Sequence, residues 1–129
     1  MRPVFAAILL AMSVSVSSQA EVIGTWKTEE GENGGYALVQ IHLCEDGTGT
    51  FCGTILDIIG NETTSVGLPI ITGMLDRGDG KYRSGRIWAP DQDRWYQARM
   101  NLESSHQLSV YGCVAGGLIC RGQDWIRVE

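Results

Sequence analysis

The last apolar-polar alternation of the chain carries its densest set of chemically capable side chains. Read at a period of two, Arg121, Gln123, Trp125 and Arg127 share one face, and Gly122, Asp124, Ile126 and Val128 share the other. Turned inward in a closed sheet, the first set offers two cations, an amide and an indole, which suits an anionic or carboxylated amphipathic ligand. The competing arrangement packs Trp125 as core and sends both arginines outward past the rims. Tyr82 and Tyr96 are the next cavity-lining candidates, because a phenol joins an apolar body to a polar tip. Arg121, Gln123, Trp125, Tyr82 and Tyr96 are therefore the expected ligand-binding residues.

Other reactive types point elsewhere. His42 alternates with Ile41 and Leu43 and is expected on the solvent face, while His106 falls in a Ser-Ser-His-Gln turn. No serine or cysteine motif supplies a nucleophile beside a base, so no catalytic residue is assigned and the chain is not read as an enzyme. The carboxylates Asp76, Asp79, Asp91 and Asp93 are scattered through turns without the twelve-residue EF-hand pattern. No metal and no cofactor is expected. Arg77-Gly78-Asp79 reads as part of a hairpin, and Asn61-Glu62-Thr63 fits the N-glycosylation pattern.

The cysteines are read through the start of the chain. Met1-Arg2-Pro3, an apolar run from Val4 to Val16 and the small residues up to Ala20 match a secretory signal peptide. Cleavage is expected before Glu21, making residues 1–20 the leader and 21–129 the domain. The apolar run is shorter than the ~20 residues needed to span a bilayer, and no later segment could cross one. The expected location is the periplasm or the outside of the cell, where disulfides persist. Of the three pairings open to four cysteines, Cys44 with Cys52 and Cys113 with Cys120 close two short glycine-bearing loops. Both loops resemble hairpin ends, where neighbouring strands hold Cβ atoms at bridging distance. The intervals do not match zinc-ligand spacing.

The elements that must position these residues are strands. The 129 residues include 17 glycines, all after residue 20, and the net charge is −5. That charge argues against a nucleic-acid partner, which calls for a basic face. Alternating runs recur about every 10–15 residues. They are Ile23–Thr28, Tyr36–Cys44, Phe51–Ile59, Ile70–Asp76, Tyr82–Trp88, Arg94–Leu102, Gln107–Cys113 and Arg121–Val128. Turn signals separate them, including Arg77-Gly78-Asp79-Gly80 and Ala89-Pro90-Asp91-Gln92-Asp93, and Asn61–Pro69 is the longest irregular stretch. No run holds a 3.6-residue period long enough for a helix of any length. The fold expected is all-β, a small antiparallel up-and-down barrel of about eight strands.

Three groups of residues carry a resemblance. Gly24-Thr25-Trp26 opens the domain. Ser84-Gly85-Arg86-Ile87 precedes Ala89-Pro90-Asp91 and Trp95-Tyr96. Val110-Tyr111-Gly112-Cys113 is followed by Arg121-Gly122-Gln123-Asp124-Trp125-Ile126-Arg127. In this order they resemble the bacterial domain-of-unknown-function family 2147 over Ile23 to Val128. The resemblance implies a lipocalin- or calycin-like exported barrel with room for a small molecule. It also implies a lipocalin-type closed end, in which Arg127 lies across Trp26 as a cation–π pair. Two departures stand out: Ser84-Gly85 replaces a Gly-Gly pair, and Gly122 and Asp124 replace threonines.

The functional expectation is a barrel that binds a small apolar or amphipathic ligand in its lumen. The alternative is an envelope interaction module with a filled barrel, meeting a protein partner through the Asn61–Pro69 loop or its acidic surface.

Overall fold

The computed structural model describes residues 21–90 and 92–129. The leader expected over residues 1–20, and Asp91 of the β5–β6 turn, lie outside the described residues. Eight strands follow one another: β1 Gly24–Lys27, β2 Tyr36–Leu43, β3 Phe51–Ile59, β4 Pro69–Asp76, β5 Lys81–Ala89, β6 Arg94–Leu102, β7 Gln107–Val114 and β8 Ile119–Arg127. Each pairs antiparallel with the next, and β8 returns to β1 to close the barrel. Closure leaves no sheet edge in need of a partner. The first strand is shorter than the alternation predicts, because the segment after Lys27 turns into the polar Glu29–Gly35 loop.

The strand register decides which side chains enter the lumen. Trp26 lies opposite Val39 and Val39 opposite Ile55, all three almost fully buried. Across the barrel Tyr82 faces Met100, Met100 faces Val110, and Leu108 faces Trp125. These inward positions are the period-two residues of the sequence, and together with Phe51, Ile71 and Met74 they form a single core.

Antiparallel meandering sorts the connections to two ends. The β1–β2, β3–β4, β5–β6 and β7–β8 loops rim one end. The remaining loops rim the other, together with Glu21–Ile23 and Val128–Glu129. This second end is shut. Trp26 is fully buried, its Nε1–H donates to Val22 O at 3.0 Å, and Val22 is itself fully buried. Arg127 lies over the indole, with its guanidinium carbon 4.3 Å from the ring centre. From there Nη1 donates to Ile23 O at 2.9 Å, Nε to Ser105 O at 2.6 Å, and Nη2 to Glu21 O.

Gly24 explains why the Gly-x-Trp opening is needed beside this arginine. A Cβ at position 24 would collide with the Arg127 guanidinium and the Glu129 carbonyl. The two disulfides, Cys44–Cys52 and Cys113–Cys120, join the cysteines paired by the sequence analysis. Each bridges directly opposed or near-opposed strand ends, Cys113 standing across from Cys120 in the β7–β8 ladder.

Candidate functional site

The lumen is not a through-cavity. Between the closed end and the layer of Ile55 and Ile71 the lumen is packed: Trp26, Phe51, Met74, Tyr82, Met100, Leu108, Ile55 and Ile71 are each at most 1 % exposed. The packing is tight where those side chains meet the wall. Gly85 faces inward, and a Cβ there would strike the Met74 sulfur and stand 2.6 Å from Thr72 O. Tyr82 therefore does not line an open cavity. It is fully buried, packs edge-on against Phe51 with ring centroids 5.6 Å apart, and belongs to the plug. Its hydroxyl is pushed up to about 12, first by burial and then by the nearby carboxylates of Asp76 and Glu21. Trp125 is also core, at 2 % exposure, with its indole N–H donating to Gln123 Oε1 at 3.0 Å.

The open end differs. Gln123 lies opposite Val110 and Arg121 opposite Gly112, so both occupy the inward face of β8, as Trp125 does. Unlike Trp125, both are exposed to solvent, whereas Tyr96 and Ile87 beside them are half-buried. These residues are contiguous. Tyr96 is paired with Ile87, and a Cβ at Gly112 would sit 3.4 Å from Ile87 and 3.6 Å from Tyr96. Around Arg121 the inward row is built from small residues, Gly85, Ala98 and Gly112, which leaves room beside its long side chain. Arg121 has no hydrogen bond or ion pair among the described residues, where the one salt bridge joins Lys27 to Glu30. Arg94 adds a second cation, its guanidinium carbon 5.3 Å from the Tyr96 ring centre. The Tyr96 hydroxyl donates to Gln92 Oε1 in the β5–β6 loop.

Of the five ligand-binding residues expected from sequence, the structure brings Tyr96, Arg121 and Gln123 together at the open end. Trp125 lies beneath Gln123 as floor, and Tyr82 is separated from the group by the core. Arg94 and Ile87 complete the mouth and were not singled out from sequence. The only sequence signal for Arg94 is its position two residues before Tyr96 on an alternating strand.

Two further concavities lie on the outside. One, of about 720 Å³, sits at the closed end between Glu21, Asp79, Glu103, His106 and Arg127. There Ser105 Oγ and His106 Nδ1 are 2.7 Å apart, an exposed contact between adjacent residues of the β6–β7 turn. The other, of about 850 Å³, lies along β5, β6 and the end of β7 and includes Arg83, Arg86, Arg94 and Arg99. His42, expected on the solvent face, is half-buried, with Nε2 at 2.9 Å from Thr54 Oγ1 and Nδ1 at 2.8 Å from Leu43 O. Among the described residues no group of three or more His, Cys, Asp or Glu side chains could hold a metal ion. No helix among them is long and apolar enough to cross a membrane.

The closed eight-stranded antiparallel barrel, shut at one end by a tryptophan under an arginine, is a lipocalin-like fold. The chain belongs to the bacterial family described as "Uncharacterized protein conserved in bacteria (DUF2147)", whose model matches residues 24–127. Among solved structures it is similar to protein HP1028 from Helicobacter pylori, described as belonging to the lipocalin family. The TM-score is 0.68 at 14% identity, covering 84% of this chain and 83% of that one. It is also similar to a redesigned β-barrel, with a TM-score of 0.50 at 18% identity over 87% of this chain and 95% of that chain. At these identities the likenesses establish the fold. No curated protein matches the sequence.

Proposed function

We propose that this protein is an exported, non-catalytic binding protein of the periplasm or cell exterior that takes a small anionic amphiphile at the open end of its barrel. The observation that carries the reading is Arg121. It occupies an inward register position, has no partner among the described residues, and adjoins the half-buried apolar surface of Ile87 and Tyr96. A carboxylate or phosphate head would pair with the Arg121 fork and accept from the Gln123 amide, with Arg94 contributing field. The apolar tail would lie against Ile87 and the Tyr96 ring, above the Trp125 floor. The packed lower lumen limits the tail to a short or shallowly seated one. The two disulfides are in keeping with an oxidising compartment, and the expected leader would deliver the chain there.

The test is native mass spectrometry of the mature chain purified without detergent, followed by calorimetric titration with decanoate. The reading expects saturable 1:1 binding, weakened at least tenfold by Arg121→Ala because a charge-assisted contact is lost. Absence of both a retained molecule and saturable binding would overturn it.

A further inference from the structure

The net charge of −5 conceals a local inversion of sign. The outer concavity along β5–β7 is lined by four of the chain's ten Lys+Arg residues, Arg83, Arg86, Arg94 and Arg99, and by no carboxylate among the described residues. All four are arginines, whose planar forks suit carboxylate and phosphate better than the point charge of lysine. Trp95, 37% exposed, and Gln97 lie between them.

The four cations are not equally engaged. Arg83 is held in the wall, donating to Tyr82 O at 2.9 Å, Met100 O at 3.0 Å and Asn101 Oδ1 at 2.9 Å. Arg99 makes one bond, to Gly117 O at 3.1 Å, and Arg94 leans on the Tyr96 ring. Arg86 has no partner among the described residues. Most of the guanidinium donors of Arg86, Arg94 and Arg99 are therefore unused by the fold. The wall behind them is stiff, because Gln97 is paired on one side with Arg86 and on the other with Cys113 of the Cys113–Cys120 disulfide.

We infer that this trough docks an acidic polypeptide segment in extended conformation, with carboxylates on alternate residues. Three observations favour that occupant. Arg86 stands across from Gln97, and Arg99 lies two residues further along β6 on the same face. Arg86 and Arg99 are thus diagonal neighbours across two strands, ~7–8 Å apart, close to the ~6.8 Å repeat of same-face side chains on an extended chain, so alternate carboxylates can reach both. Arginine and tryptophan are also among the residues most enriched at the energetic centres of protein–protein contacts. Finally, no carboxylate among the described residues lines the trough, while the rest of the chain is acidic, with six Lys+Arg against 15 Asp+Glu. With a screening length of ~8 Å at physiological salt, a short segment seated in the trough is governed mainly by its arginines. A long polyanion would run beyond them onto the acidic remainder of the barrel, and a bilayer presents a plane to a concave surface.

The experiment uses the full mature chain and a fluorescent peptide of about eight residues alternating Glu and Ser. A Lys-Ser peptide, a single-stranded oligonucleotide and phosphatidylglycerol vesicles are run in parallel. Saturable binding of the Glu-Ser peptide alone is expected, weakening as salt rises. It should fall at least tenfold in the double variant Arg86→Glu/Arg99→Glu and less in Arg86→Lys. Circular dichroism and thermal midpoint verify that the variants fold, and Arg121→Ala, which alters the mouth at a residue outside the trough lining, should leave peptide binding intact. The inference is overturned by no peptide binding, by binding indifferent to the double variant, or by tighter binding to vesicles or oligonucleotide.

Discussion

Arg127 lies over Trp26 with its guanidinium carbon 4.3 Å from the ring centre, and this one contact joins the last strand to the first at the shut end of the barrel. The same guanidinium also holds Glu21 and Ile23 of the entering segment and Ser105 of the β6–β7 turn through their carbonyls. Three chain segments meet on one side chain, which belongs to one of only two register pairs of the β1–β8 seam, the fewest between any two paired strands.

Replacing Arg127 by alanine should cost about 2–3 kcal/mol, combining a cation–π contact with charge-assisted hydrogen bonds at a half-exposed site. Arg127→Lys keeps the cation over the indole but loses the fork, and should recover roughly half of that loss. Urea unfolding curves of the three proteins check both values. An alanine variant as stable as the parent would reduce the arginine to a surface decoration.

Ser84 has φ of 66°, in the left-handed region, at the point where the β5–β6 register slips between Tyr82 and Gly85. A serine there carries a Cβ cost of about 1–2 kcal/mol that glycine avoids. Ser84→Gly should raise stability by about 0.5–1 kcal/mol, the relief being partly offset by the greater freedom of glycine in the unfolded chain. A rise in the urea midpoint with unchanged slope is the expected reading, and a fall would contradict the strain argument.

Much of this architecture was legible because strands advertise themselves by alternation. Tyr96, Ala98, Met100 and Leu102 alternate along β6 and all enter the barrel, and the two cysteine pairs follow from the loops they close. What the pattern did not reveal depends on depth along the barrel axis. Tyr82 and Tyr96 both sit on inward positions, yet one lies in the plug and the other at the mouth. Period two reports the face and carries no information about the layer. The arginine trough escaped for a different reason. Arg86 and Arg99 are distant in sequence and meet only through the β5–β6 pairing, while an acidic net charge averages them away.

Gly85 and Gly112 both face the lumen, and the packing on the two sides of them differs. An alanine Cβ at 85 would overlap the Met74 side chain and approach the Thr72 carbonyl, a backbone atom fixed by the β4–β5 ladder. Gly85→Ala should therefore destabilise by about 2–3 kcal/mol. At Gly112 the nearest atom to the same Cβ is 3.4 Å away, an ordinary contact with Ile87. Gly112→Ala should change stability by less than about 1 kcal/mol while narrowing the mouth beside Arg121. Thermal midpoints of the two variants test the contrast, and equal losses would mean that the lumen is filled to the same degree at both depths.

Alkaline stability should depend on Tyr82. Its hydroxyl is pushed up to about 12 in the folded barrel, above the ordinary phenol value of about 10, because burial and the carboxylates of Asp76 and Glu21 oppose a phenolate. Below the unfolded value both states keep the proton, and the preference for the neutral phenol contributes fully. As pH rises through that window the unfolded chain loses its proton first. Unfolding is then favoured increasingly until the folded group also ionises near 12. The loss across the window is on the order of 2 kcal/mol. Tyr82→Phe removes the ionisable group while keeping the ring against Phe51, so its stability should fall less steeply over the same range. Urea midpoints of parent and variant on either side of the window measure the difference. The delayed step in tyrosinate absorbance should vanish in the variant. Parallel pH profiles for the two proteins would show that Tyr82 is not the group that sets the alkaline limit.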